Sequence, residues 1–162
     1  MERTFGIISD THGLIRPEAL AELAGVERIL HAGDVGSPAV LEALSTIAPV
    51  TVVRGNNDKD PWGQALPLTE VVEIGGASLY LLHDIGELDL DPVAAGFDAV
   101  ITGHSHRPKL EQRGRVLWMN PGSAGPRRFA LPVTIGKLHV TGRRLRGELI
   151  ELGTNRAERV SR

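Results

Sequence analysis

The amino-acid sequence predicts an α/β fold in which a mixed β-sheet packs face to face on a second, largely antiparallel sheet, with helices outside, an αββα sandwich. Three observations carry this expectation. The first fifty or so residues alternate apolar strand-like runs with short helical patterns, which implies parallel pairing through crossovers. Gly75-Gly76, flanked by two apolar runs, marks a two-residue hairpin turn. The remainder is rich in short strand patterns separated by Gly turns. At 162 residues the chain suffices for one domain with a real core, expected over residues 1–153. Residues 154–162, polar and Arg-rich, are expected to fray.

Each element has a local reason. Residues 4–9 form a buried-strand run, and 17–23 a helix with Pro17 suited to its first turn. Residues 28–31 are a second strand. Ser37 then caps a helix with Pro38 at its first position and Val40, Leu41, Leu44 and Ile47 at helical spacing. A third strand follows at 50–53. The pattern then changes: 69–74 and 77–82 pair across Gly75-Gly76, a short helix is expected at 92–95, and 99–102 is again a buried strand. Residues 109–112 and 116–119 turn around Arg113-Gly114, and 133–141 and 144–152 turn at Gly142.

Composition narrows the function. Hydrophobic residues make up 41% of the chain and charged residues 23%, ordinary values for a globular protein. No apolar run approaches the roughly 18 residues of a membrane helix, and no secretory pattern opens the chain, so the expected site is the cytoplasm. The absence of cysteine excludes disulfides, thiolate zinc, iron–sulfur clusters and a Cys nucleophile. Net charge is −2, although residues 143–162 hold six Arg against three Glu, leaving the rest at −5. That balance, with aromatics at only 4%, argues against a nucleic-acid binder.

The chemistry-bearing residues sit at the ends of the strand-like runs. Asp10-Thr11-His12 and His104-Ser105-His106 each place two metal-type donors at i and i+2, a spacing that puts side chains on one side of an extended segment. Asp34, Asn56 and His83 follow three further apolar runs, with Gly33, Gly55 and Gly103 nearby to permit tight turns. Seven donors at the ends of five strands, where open α/β sheets place their sites, suggest a binuclear metal centre. Imidazole and carboxylate without thiolate suit Mn, Fe, Co, Ni or Zn over Mg or Ca; the donors do not choose among these, and Mn is the first expectation. His31 and His139 read as structural histidines, His31 alternatively as support behind Gly33-Asp34.

In this order and spacing Asp10-Thr11-His12, Gly33-Asp34, Gly55-Asn56-Asn57-Asp58, His83 and Gly103-His104-Ser105-His106 resemble the calcineurin-like metallophosphoesterase superfamily. The short chain, with Asn120-Pro121-Gly122-Ser123 after the last His pair, is most similar to its small prokaryotic phosphodiesterase branch. The resemblance implies one metal held by Asp10, His12 and His106, a second by Asn56, His83 and His104, and Asp34 bridging the two. It implies a metal-dependent phosphoesterase, foremost a phosphodiesterase, in which a hydroxide activated by two ions attacks phosphorus in line.

Asn57 and Asp58 are the expected catalytic-site residues, Asp58 as support, and Asn57 with Arg54 the expected substrate contacts. Asn57 stands where many members carry His; it can hydrogen-bond a phosphate oxygen but cannot act as an acid. Arg127 and Arg128 are candidates for phosphate, although adjacent Arg residues are usually solvated surface. The expected partner is a small phosphoester, with a homodimer through strand edges or helices as an oligomeric option. Two rival readings stay open: a metal-dependent nuclease, and a non-catalytic interaction scaffold of the kind relatives form in retromer. Seven intact ligand positions argue for catalysis.

Overall fold

A computed structural model describes residues 1–153 and the backbone of Val160–Ser161. The first sheet contains β1 (Arg3–Ile8), β2 (Ile29–His31), β3 (Val50–Val52), β9 (Thr134–Thr141), β10 (Arg144–Glu151) and β11 (Val160–Ser161), in the order β11-β10-β9-β1-β2-β3. The second contains β4 (Thr69–Ile74), β5 (Ala77–Leu82), β6 (Ala99–Ile101), β7 (Lys109–Arg113) and β8 (Val116–Asn120), in the order β4-β5-β6-β8-β7. Among the described residues three α-helices, α1 (Pro17–Leu23), α2 (Pro38–Ser45) and α3 (Pro61–Gln64), accompany the sheets. None is long and apolar enough to cross a membrane among the described residues.

Strand alternation builds the layers. Phe5, Ile7 and Leu30 face the second sheet and meet Val72, Leu79, Leu81 and Ile101 in a buried inter-sheet core. Their neighbours Ile8 and Ile29 face the other way and pack under α1 and α2 against Ala19, Leu23, Val40 and Leu44. Both helices begin with Pro in the first turn, and the Ser37 side chain accepts a hydrogen bond from the Ala39 amide as a cap.

The two-sheet sandwich is as the sequence predicts, with several differences. The second sheet is evenly mixed: β5, β6 and β8 run parallel at its centre, and only its edge pairs β4–β5 and β7–β8 are antiparallel. The hairpin β9–β10 extends the first sheet instead, pairing antiparallel with β1 from Arg3↔Val140 onward. Helices cover one outer face only. Over the other face the segment 84–98 lays Leu88, Leu90 and Phe97 against Tyr80, Leu82 and Val100. The helix expected at 92–95 is a single turn: Asp91 accepts from Val93, and Gly96, at φ +83°, ends it before a second turn forms. α3 and a 3₁₀ turn at Ile85–Glu87 were not expected. The tail predicted to fray lies outside the described residues, except that Val160–Ser161 pair with β10.

Candidate metal centre

All seven predicted donors gather at one end of the sandwich. Asp10, His12, Asp34 and Asn56 follow β1, β2 and β3 of the first sheet, while His83, His104 and His106 follow β5 and β6 of the second. Oδ1 of Asp10 lies 3.3 Å from Nε2 of His106, 3.8 Å from that of His12 and 3.9 Å from that of His83. Oδ2 of Asp34 lies 3.4 Å from Nε2 of His83 and 3.8 Å from that of His12. Oδ1 of Asn56 sits 2.9 Å from Nε2 of His83 and 3.1 Å from Nδ1 of His104. Two overlapping groups result, Asp10–His12–His106 and Asp10–Asp34–His83, and Asn56 and His104 adjoin the second.

The convergence has a different cause from strand alternation. Asp10, His12, Asp34, His104 and His106 all have positive φ, between 48° and 71°, a region that costs a non-Gly residue about 1–2 kcal/mol. Only one other non-Gly residue, Phe129, shares it among the described residues. Left-handed steps in tight loops, not pleated strands, aim each i, i+2 pair. Backbone bonds hold these loops side by side, from the Asp10 amide to Gly33 carbonyl and from the His12 amide to Asp34 carbonyl, at 3.0 and 2.9 Å. Close approach also needs Gly55, because a Cβ there would collide with the Asp34 amide and Oδ1.

The donor set fits divalent ions. Oδ2 of Asp10 is satisfied by the Ser9 hydroxyl at 2.6 Å and the His104 amide at 3.0 Å, while Oδ1 is buried without a hydrogen-bond partner. An orphaned carboxylate oxygen ringed by imidazoles is the arrangement a cation would complete. His83 points the same way: Nδ1 lies 2.7 Å from the Ala32 carbonyl, so a neutral ring donates there and turns the lone pair of Nε2 toward Asn56 Oδ1. Two acceptors so close need a proton or a metal between them.

Burial opposes the charge on Asp34, but the adjacent His83 ring and hydrogen bonds from both Asn57 nitrogens hold its carboxyl well below the usual carboxylate range. For Asp10 burial is likewise outweighed, by His106 and Ser9, and its pKa falls. Burial also opposes the imidazolium of His83, yet Asp34 and Asp10 raise its pKa on balance. At His12 burial wins over the two carboxylates, with His106 and Arg128 adding to the downward shift.

The other predicted residues divide. Asn57 donates its amide and side-chain nitrogen to the two oxygens of Asp34, at 2.8 and 3.0 Å, and so orients that ligand. Asp58, expected among the catalytic residues, is turned away from the donors: its oxygens accept from the amides of Asp34, Val35, Gly36 and Gly55. It binds the β2 and β3 loops together. Arg54 lines a cleft of about 620 Å³ that reaches Asn56 and His83, and its buried Nε has no hydrogen-bond partner. Asn120 ties to the Gly103 carbonyl and Ser105 hydroxyl, and Ser123 donates to the Asp10 carbonyl, so that turn braces both ligand loops. Asp84 was missed: its Oδ2 stands 3.8 Å from Nε2 of His104, behind the ring. Only its place next to His83 hinted at it.

His31 proves structural. Nδ1 accepts from the Gly33 amide, so Nε2 carries the proton and faces the Thr11 hydroxyl at 3.0 Å, which donates to the Val35 carbonyl. Burial pushes its pKa down from 6.5 to about 4. The fold therefore disfavours the imidazolium. Stability is full above the unfolded pKa and falls as pH drops from about 6.5 to about 4, by about 3 kcal/mol. Urea unfolding of chelated protein between pH 7 and 4 should show this loss, and His31→Gln should flatten it; an equal slope in both proteins would refute the assignment.

Known proteins resemble this chain in sequence and in fold. The family model for the calcineurin-like phosphoesterase superfamily domain matches residues 4–143. A probable metallophosphoesterase of Methanothermobacter thermautotrophicus is 36% identical, over 91% of this chain and 92% of that protein. Phosphodiesterase YfcE of Escherichia coli is 31% identical, over 80% of this chain and 84% of its own. Among solved structures, Chaetomium thermophilum Vps29 superposes with a TM-score of 0.82 at 22% identity, covering 98% of this chain and 97% of that one. The E. coli YfcE structure gives 0.72 at 24% identity, covering 98% of each chain. At these identities the structural likeness speaks to fold alone.

Proposed function

The chain belongs to the calcineurin-like phosphoesterase superfamily, and from that premise we propose that it is a phosphodiesterase working with two divalent metal ions, manganese first. The observation that carries this reading is the unpartnered, buried Oδ1 of Asp10 among the Nε2 atoms of His106, His12 and His83. Asp10, His12 and His106 would hold one ion, Asn56, His83 and His104 the other, and Asp34 would reach both. Bound there, the ions supply an acidified water as nucleophile and take up negative charge at phosphorus.

The chain's own residues do the rest. Asn57 fixes Asp34 and leaves its side chain exposed at the mouth, where it can face a phosphate oxygen. Arg128, whose charge is felt at His12, and Arg54, with its unpartnered Nε, add positive potential around the mouth. Asn57 cannot act as an acid toward the leaving group, which favours esters with good leaving groups.

Chelated protein should be inert toward bis-p-nitrophenyl phosphate and regain activity with manganese, with the diester preferred to p-nitrophenyl phosphate. Two ions bound without cleavage of either would favour a scaffold. No ion bound would overturn the reading.

A further inference from the structure

We propose that the cavity beside His104 is a subsite for an aromatic or heteroaromatic ester group of the substrate, the group retained on phosphorus after cleavage; this rests on the phosphodiesterase reading above. The cavity holds about 350 Å³, within the range of small-molecule sites, and opens onto His104 and Ser105. A phosphate held among the seven donors would have it directly alongside. Its apolar lining includes the buried Val100 of β6, Trp118 of β8 and, at the solvent edge, Ile85 of the 3₁₀ turn.

Ile85 is 47% exposed, a large apolar side chain turned to water next to a polar centre. An apolar occupant would remove that surface from water. Trp118 already carries a planar group, the Arg113 guanidinium, 4.8 Å from its ring centre. Among the described residues Arg107, at the same cavity, has no acidic partner, and although Asp84 also lines it, the guanidinium suits an electron-rich ring. The larger cleft beyond Asp84 contrasts with this. It carries Arg54 and Lys59 together with Glu87 and Asp89 and suits a hydrated, polar group.

The test compares phenyl p-nitrophenyl phosphate with methyl p-nitrophenyl phosphate on the manganese-loaded protein. Both release p-nitrophenolate and differ only in the retained group. The expected phenyl-to-methyl ratio of kcat/KM is about tenfold, mainly through KM, and Ile85→Ser should lower it about fivefold. Because the ratio cancels any general loss of activity or folding, an unchanged ratio in Ile85→Ser overturns the subsite. A wild-type ratio near one does the same.

If neither ester is cleaved, the phosphodiesterase reading fails and the subsite is decided by binding. In Trp62→Phe, which leaves Trp118 as the sole tryptophan, phenylphosphonate should shift the emission and methylphosphonate should not. Equal response to both ligands would overturn it.

Discussion

Asp34→Asn should lower metal-dependent hydrolysis of bis-p-nitrophenyl phosphate by about a thousandfold or more while the protein stays folded. The carboxylate is the group best placed to serve both ions, with Oδ2 at 3.4 and 3.8 Å from imidazoles on opposite sides of the centre. Its negative charge is built in, since two hydrogen bonds from Asn57 and the adjacent His83 ring hold the carboxyl ionised against burial. An amide keeps the shape and loses that charge. A nitrogen at the Oδ1 position would oppose the Asn57 backbone amide, so it takes the Oδ2 position, where rotation of the Asn57 side chain presents an acceptor but the nitrogen faces the imidazoles. The variant should melt cooperatively and bind fewer than two ions by elemental analysis. Full activity with two ions bound would sink the bridging role.

Asp58→Ala should destabilise the chelated protein by about 3–5 kcal/mol while leaving every proposed ligand side chain in place. Four backbone amides, three from the β2 loop and one from the β3 loop, converge on this one carboxylate, itself only 3% exposed. Removing it leaves buried donors without an acceptor, and each such donor costs about 1–3 kcal/mol before water or rearrangement intervenes. Asp58→Asn retains one good acceptor and should lose less, about 1–2 kcal/mol. Urea unfolding in chelator orders the three proteins. A loss below about 0.5 kcal/mol in both variants would show that water replaces the carboxylate freely.

What was legible in the sequence follows from how local each cause is. Helix α1 and the start of α2 are written in Pro17, Ser37 and Pro38, and the β4–β5 hairpin in Gly75-Gly76, all within a few residues of the element they shape. The placement of β9 and β10 is not: it depends on Arg3 meeting Val140, a pairing across most of the chain. The same holds at the site. Each donor could be picked by residue type and its place after an apolar run, and the structure gathers all seven.

A supporting role for Asp58 was expected, but how it supports could not be read, because its partners are backbone amides that carry no side-chain signal. Asp84 is recognisable only once His104 folds back beside it. The loop conformation was misjudged for a related reason: φ near 55° at Asp10 and Asp34 is imposed by the surrounding bonds, and Asp tolerates it without advertising it.

The donors come from both sheets, Asp10, His12, Asp34 and Asn56 from one and His83, His104 and His106 from the other. Ions chelated there would act as rivets across the seam of the sandwich, joining two halves that are otherwise held mainly by apolar contact. Cargo-free and loaded protein would then differ in cohesion as well as in chemistry, and at a hundredfold excess over Kd each such rivet adds about 2.7 kcal/mol. Metal supply would thereby set the lifetime of the folded chain along with its turnover.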